Sequence, residues 1–185
     1  IDIDGRVMTG TINDVVDSND QVVKSTDDYS QSIELSTDLV PGFFFFNLEG
    51  GIVGFSEKGN KIEMIHNYIY AIDSILQKQK IEKVKFGIYY VDLSDLTVAG
   101  IDTASIGALI YENKSGVGVV KESVMERAGL QTGDIVIMIN NIEIKNDNMA
   151  RVLSRYKSGD RINIEFLRDG EKKKADIVVD NFDVN

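Results

Sequence analysis

At 185 residues and 43% apolar content, the chain has room for one large domain or two small ones with packed cores. Its formal charge of −10 is uneven: residues 1–80 carry six Lys/Arg against thirteen Asp/Glu, the remainder fourteen against seventeen. Phosphate-backbone binding depends on Lys/Arg neutralisation, so nucleic acid is excluded as an expected partner, and the short Lys172-Lys173-Lys174 run reads as a solvated turn. Cysteine is absent, which removes disulfides, a thiolate metal site and a Cys nucleophile, but leaves an extracytoplasmic home open. No apolar run approaches the ~18 residues of a membrane span. The opening Ile1-Asp2-Ile3-Asp4-Gly5 starts mid-pattern without an initiator Met, so the chain reads as a fragment or processed product.

Up to about residue 63 the chain is strand-like. Val7–Ile12, Gln21–Lys24, Ser32–Ser36 and Gly51–Phe55 are short apolar or alternating runs separated by Asn, Asp, Ser and Gly clusters. That spacing predicts an antiparallel barrel or sandwich. Phe43–Phe46 is too uniformly apolar for a half-exposed strand, so both of its faces are expected to be covered. The period then changes. Met64, Ile65, Tyr68, Ile69, Ile72, Ile75 and Leu76 recur at helical spacing, and Gln77-Lys78-Gln79-Lys80 closes a last turn suited to the helix dipole. Beyond residue 82 strands resume at Val84–Tyr90, Gly107–Tyr111, Val117–Val120, Asp134–Ile139, Arg161–Leu167 and Lys174–Val179, interrupted by helical pieces at Ser123–Ala128 and Asp147–Tyr156.

The most specific signal is Ser123-Val124-Met125-Glu126-Arg127-Ala128-Gly129-Leu130-Gln131-Thr132-Gly133-Asp134, running on to Ile139-Asn140-Asn141. Ser123 suits a helix N-cap and Gly129 a left-handed stop. Leu130 suits a core plug, Gly133-Asp134 a turn into a buried strand, and Asn140-Asn141 a tight turn with positive φ. The segment resembles the Ser-Pro-Ala-x-x-Ala-Gly-Leu-x-x-Gly-Asp-x-Ile-x-x-Ile-Asn-Gly stretch of bacterial PDZ domains, with Val124-Met125 in place of Pro-Ala and Asn141 in place of Gly. Tyr156-Lys157-Ser158-Gly159-Asp160 and the β-run ending Leu167-Arg168-Asp169-Gly170 continue the pattern across residues 82–180. The resemblance implies a groove between a strand edge and a helix that takes extended peptides or protein C-termini by strand addition, with a nest of N–H groups for the terminal carboxylate. It places Lys85-Phe86-Gly87-Ile88 on the carboxylate loop, Gly87 allowing close backbone approach, and Ala150 and Leu153 on the opposing helical wall.

The segment Asp38-Leu39-Val40-Pro41-Gly42 through Gly54-Phe55 resembles the nucleophile region of HtrA/Deg-type, trypsin-like serine proteases, and Gly5–Asn13 resembles the strand opening their second barrel. Without a gap, Phe44 falls on the serine; with three residues deleted near Phe43-Phe44, Asn47-Leu48-Glu49-Gly50 matches the hairpin turn after it. Neither alignment supplies a serine, and the barrel carrying the His and Asp of the triad is not in this chain. The only histidine, His66, falls on a linker proline of that family. Acyl transfer needs a hydroxyl next to a base and two oxyanion donors; without nucleophile and base at most ~10³-fold acceleration is left. Ser32, Ser36 and Ser56 lack a Gly-rich frame. Asp17-Ser18-Asn19-Asp20 begins like a calcium loop but lacks Gly at the sixth position and the closing Glu, and Asp27-Asp28 carries no more of that pattern. No cofactor or metal is expected.

These readings imply a mainly β fold with short helices: a trypsin-like barrel remnant over 1–63, a linker helix over 64–81 and a PDZ domain over 82–182. The implied function is that of a catalytically inactive HtrA-like protein of the cell envelope, an adaptor or quality-control scaffold that binds peptide segments. The compartment is left open between the cell envelope and another extracytoplasmic site, with or without a membrane anchor before Ile1. The barrel's open face would be covered by a homo-oligomer or a further N-terminal barrel. The alternatives are a fragment of an active endopeptidase and a purely structural assembly subunit with a closed groove.

Overall fold

Most of the β-branched and aromatic runs form strands, and every strand pairing among the described residues is antiparallel. The structure, a computed structural model, describes residues 11–17, 22–78, 84–95, 106–145 and 149–180. These divide into two units, one built on 11–17 and 30–78, the other on 22–29 and the described residues from 84 onward. The protein is thus mainly β with short helices.

In the first unit β1 (Ile12–Asp17) is followed in sequence by β2 (Lys24–Ser25), which belongs to the other sheet. β3 (Gln31–Leu39), β4 (Phe44–Phe46), β5 (Ile52–Ser56) and β6 (Gly59–Met64) complete a five-stranded sheet in the order β1-β3-β6-β5-β4. Ile33, Leu35, Leu39 and Ile62 form its buried cluster, with Phe45, Val53 and Met64 against it. Asn47 makes the β4–β5 turn: its N–H reaches Gly51 O (2.9 Å), its Oδ1 accepts from Gly51 N–H (2.7 Å), and Gly50 takes φ +82°. Expected coverage of the phenylalanine run is corrected here. Phe44 and Phe46 are 50% and 47% exposed, because among the described residues β4 is the sheet's edge and pairs only with β5. After β6 a 3₁₀ turn (Ile65–Tyr68) leads into α1 (Ile69–Lys78), where Ile69, Ile72, Ile75 and Leu76 are exposed. Of the expected Val7–Ile12 strand, 7–10 lie outside the described residues and β1 takes up at Ile12.

The second sheet runs β12-β11-β9-β8-β7-β2, with β10 paired to β9. Its remaining elements are β7 (Tyr89–Asp92), a 3₁₀ turn (Leu93–Asp95), β8 (Ala108–Ile110), α2 (Val124–Arg127), β9 (Ile135–Ile139), β10 (Ile142–Glu143), α3 (Met149–Leu153), β11 (Arg161–Arg168) and β12 (Glu171–Val178). The expected Val117–Val120 strand reduces to one bridge, Val119 to Ile88. Local rules account for the rest. Ser123 Oγ accepts from Glu126 N–H (3.2 Å) while the Glu126 carboxylate reaches back to Glu122 N–H (2.6 Å), a reciprocal cap at the start of α2. Gly129 at φ +79° ends that helix, and Leu130 drops into the core. Asn140 and Asn141, at φ +44° and +64°, turn β9 into β10. Asp134 is buried, accepts from Gln131 N–H (2.8 Å) and is gripped by the Arg168 fork at 2.7 Å on each oxygen. That pairing pushes the Arg168 guanidinium further above its ordinary range.

Candidate functional site

Backbone shape at Lys85-Phe86-Gly87-Ile88 follows from one glycine. Gly87 sits at φ +75°, and a Cβ there would lie 2.2 Å from Ser123 Cβ and 2.6 Å from its Oγ. A side chain is therefore excluded both by conformation and by the α2 cap packed against it. Close packing of Ser123 is thus a second reason for glycine here, beside the expected close approach of a ligand. The outward carbonyls are tied down: Lys85 O accepts from Val124 N–H (3.4 Å), Phe86 O from Met125 N–H (3.2 Å) and Gly87 O from Val120 N–H (2.8 Å). This anchoring leaves three successive N–H groups, of Phe86, Gly87 and Ile88, for another partner.

That partner is a segment of the same chain within the same unit. Phe86 N–H donates to Asp27 Oδ1 (2.8 Å) and Gly87 N–H to Asp27 Oδ2 (3.1 Å), so one carboxylate spans two backbone donors. Ile88 N–H donates to Thr26 Oγ1 (3.1 Å), and Ile88 O accepts from Thr26 N–H (3.0 Å) and Thr26 Oγ1 (3.3 Å). β2 then continues antiparallel along β7, Ser25 opposite Tyr89 and Lys24 opposite Tyr90. Lys24, Ser25 and Thr26 are 7%, 9% and 5% exposed. This is strand addition at a sheet edge with an anion held in a backbone nest.

The other sequence-derived site residues divide by burial. Phe86, Ile88, Ala150 and Leu153 belong to one buried cluster with Tyr90 and Met149, while Lys85 is exposed. The structure thus brings the carboxylate loop and the α3 pair into a common core. Asp27, Thr26 and β2 were not legible as site residues. Gln21–Lys24 reads as a strand of the first unit, yet of its described residues only Lys24 is in a strand, and in the second sheet. The preference of the segment is set by a partner 62 residues away, which no local pattern carries.

The protease-like positions lie in the first unit. Phe44 pairs with Phe55 inside the β4–β5 ladder, and the turn falls at Asn47–Gly50. Ser56 is buried with its hydroxyl committed, donating to Val40 O (2.6 Å) and accepting from Phe43 N–H (3.0 Å). No group of His, Cys, Asp and Glu able to hold a metal occurs among the described residues.

Comparison with known proteins follows this geometry. Residues 85–179 match the family described as PDZ domain. The chain is similar to a probable periplasmic serine endoprotease DegP-like of Marinomonas sp. (strain MWYL1), at 22% identity over 84% of this chain and 35% of that protein. It therefore spans about a third of that curated relative. Among solved structures it is similar to the HtrA-type protease AlgW with decapeptide (19% identity, TM-score 0.56, 84% of this chain and 50% of that one). It is similar also to the serine endoprotease from Yersinia pestis (16%, TM-score 0.51, 95% and 65%). At these identities the structural likeness is one of fold.

Proposed function

The chain belongs to the PDZ domain family, and from that premise we propose that it is an HtrA-like protein whose groove binds extended segments or C-termini of other proteins. One observation carries the reading: the N–H groups of Phe86 and Gly87 converge on a carboxylate while the β7 edge holds an extended strand in register. Backbone bonding supplies affinity without regard to sequence, and Phe86, Ile88, Ala150 and Leu153 are the proposed apolar walls. The barrel-like unit acts as a scaffold in this proposal, since neither alignment of residues 37–55 supplies a nucleophilic serine and Ser56 is spent on a turn. Similarity to a protein named as periplasmic supports an extracytoplasmic site of action. No helix among the described residues is long and apolar enough to cross a membrane. A homo-oligomer or another chain covers the apolar edge at Phe44 and Phe46.

The test is to titrate pooled hexapeptides with free C-termini against the chain and against Gly87→Glu, with circular dichroism to confirm that the variant is folded. Binding should be at least about tenfold weaker to Gly87→Glu than to the unchanged chain, because a side chain at 87 distorts the loop against Ser123, and at least about tenfold weaker for amidated peptides, the loss expected when a charged hydrogen-bonded group is removed. Affinity indifferent to both changes refutes the groove. A second reading, a structural subunit whose groove is permanently shut, is favoured by the presence of β2 on the β7 edge.

A further inference from the structure

We infer that Lys24–Asp27 is a built-in competitor for the groove, a strand held in cis that an incoming peptide must displace. The inference rests on the groove reading above and concerns how that groove is regulated. Four observations carry it. The segment runs antiparallel to β7 and meets Phe86, Gly87 and Ile88 N–H with successive acceptors, Asp27 then Thr26. The Asp27 carboxylate occupies the two-donor position, so a side chain takes the role that a terminal carboxylate would take. Lys24, Ser25 and Thr26 are buried although all three are polar, which places the segment in the edge position rather than beside it. Finally, Lys24-Ser25-Thr26-Asp27 contributes no apolar side chain; Val22 before it is exposed and Tyr29 after it is only partly buried.

Held by backbone bonds, the Thr26 hydroxyl and the Asp27 carboxylate, the strand competes as a tethered occupant. A segment linked in the same chain acts at an effective concentration in the mM range. The apparent dissociation constant for any external peptide is then the intrinsic one divided by the open fraction. A ligand that adds an apolar terminal side chain to the same hydrogen bonds has the means to win.

The experiment uses the intact chain with Asp27→Asn and, independently, Thr26→Val. Two probes are titrated: a fluorescein-labelled peptide of this chain's residues 22–27, Val-Val-Lys-Ser-Thr-Asp with a free C-terminus, and the pooled hexapeptides. Both variants should bind at least one probe about tenfold or more tighter than the unchanged chain. Amide exchange supplies the second readout. With saturating peptide on the unchanged chain, Thr26 N–H should exchange faster while Gly87 N–H stays protected. Equal affinity in all three proteins overturns the inference and leaves the groove reading standing, as does Thr26 remaining protected with peptide bound. Absence of binding to every protein sinks the groove reading and the inference with it.

Discussion

Two sheets of similar strand number are stabilised very differently. The second unit buries nineteen apolar side chains in one cluster, from Phe86 through Val179, with α2 and α3 contributing Val124, Met125, Met149, Ala150, Val152 and Leu153. Among the described residues of the first unit the buried cluster holds four. Phe44 and Phe46 on its edge and Ile69, Ile72, Ile75 and Leu76 of α1 stay exposed. A sheet must cover one face to be stable on its own, and the second has helices to do this. Among the described residues, burial therefore follows layering rather than strand count.

Truncating the centre of the second unit should have the largest effect. Leu153→Ala removes a fully buried side chain and should cost about 2–5 kcal/mol, read as a lowered urea midpoint with the slope unchanged. An Ile62→Ala change in the first unit should fall at the low end of that range, about 2 kcal/mol, because its small cluster can collapse around the gap. Equal losses would erase the contrast.

A smaller, pH-resolved effect is expected on the β11–β12 hairpin. Hydrogen bonds from Lys172 and then Lys174 hold the Glu165 carboxyl below its ordinary value of 4.5, against the opposing effect of burial. Lys174 is correspondingly held above its ordinary range by Glu165. A depressed carboxyl stabilises the fold above its unfolded pKa, and that contribution is lost as pH falls through the lower folded value. Urea midpoints of the unchanged chain should therefore decline from about pH 4.5 downward more steeply than those of Glu165→Gln. Parallel curves would show that the pair contributes nothing.

The smallest effect belongs to the uncovered edge. Phe44→Ser should change stability by no more than about 0.5 kcal/mol at dilutions where the chain is monomeric, as surface substitutions do. A loss above about 1 kcal/mol at higher concentration would mean that another molecule, a second copy included, covers β4 in solution.

What was legible in the sequence follows the range of the physics involved. The Ser123 cap, the Gly129 stop, the Leu130 plug and the Asn140-Asn141 turn are decided within a few residues, and each is found as expected. Phe43–Phe46 was legible as a strand but not as an edge, since edge position depends on which strands fail to arrive. Gly87 was legible as necessary, though the atom that requires it, Ser123 Cβ, is 36 positions distant. The occupant of the carboxylate loop was not legible at all. Asp27-Asp28 offers no recognisable ligand spacing, and only the fold places its first carboxylate on Phe86 and Gly87.

The chain lays β1 into one sheet, deposits β2 in the other, and returns to lay β3 beside β1. No single cut divides such a thread into two whole parts. A fragment starting near residue 84 would leave β7 with a bare row of backbone donors and acceptors, inviting any extended chain to pair there. Affinities obtained from that fragment would describe an edge that in the intact chain carries β2.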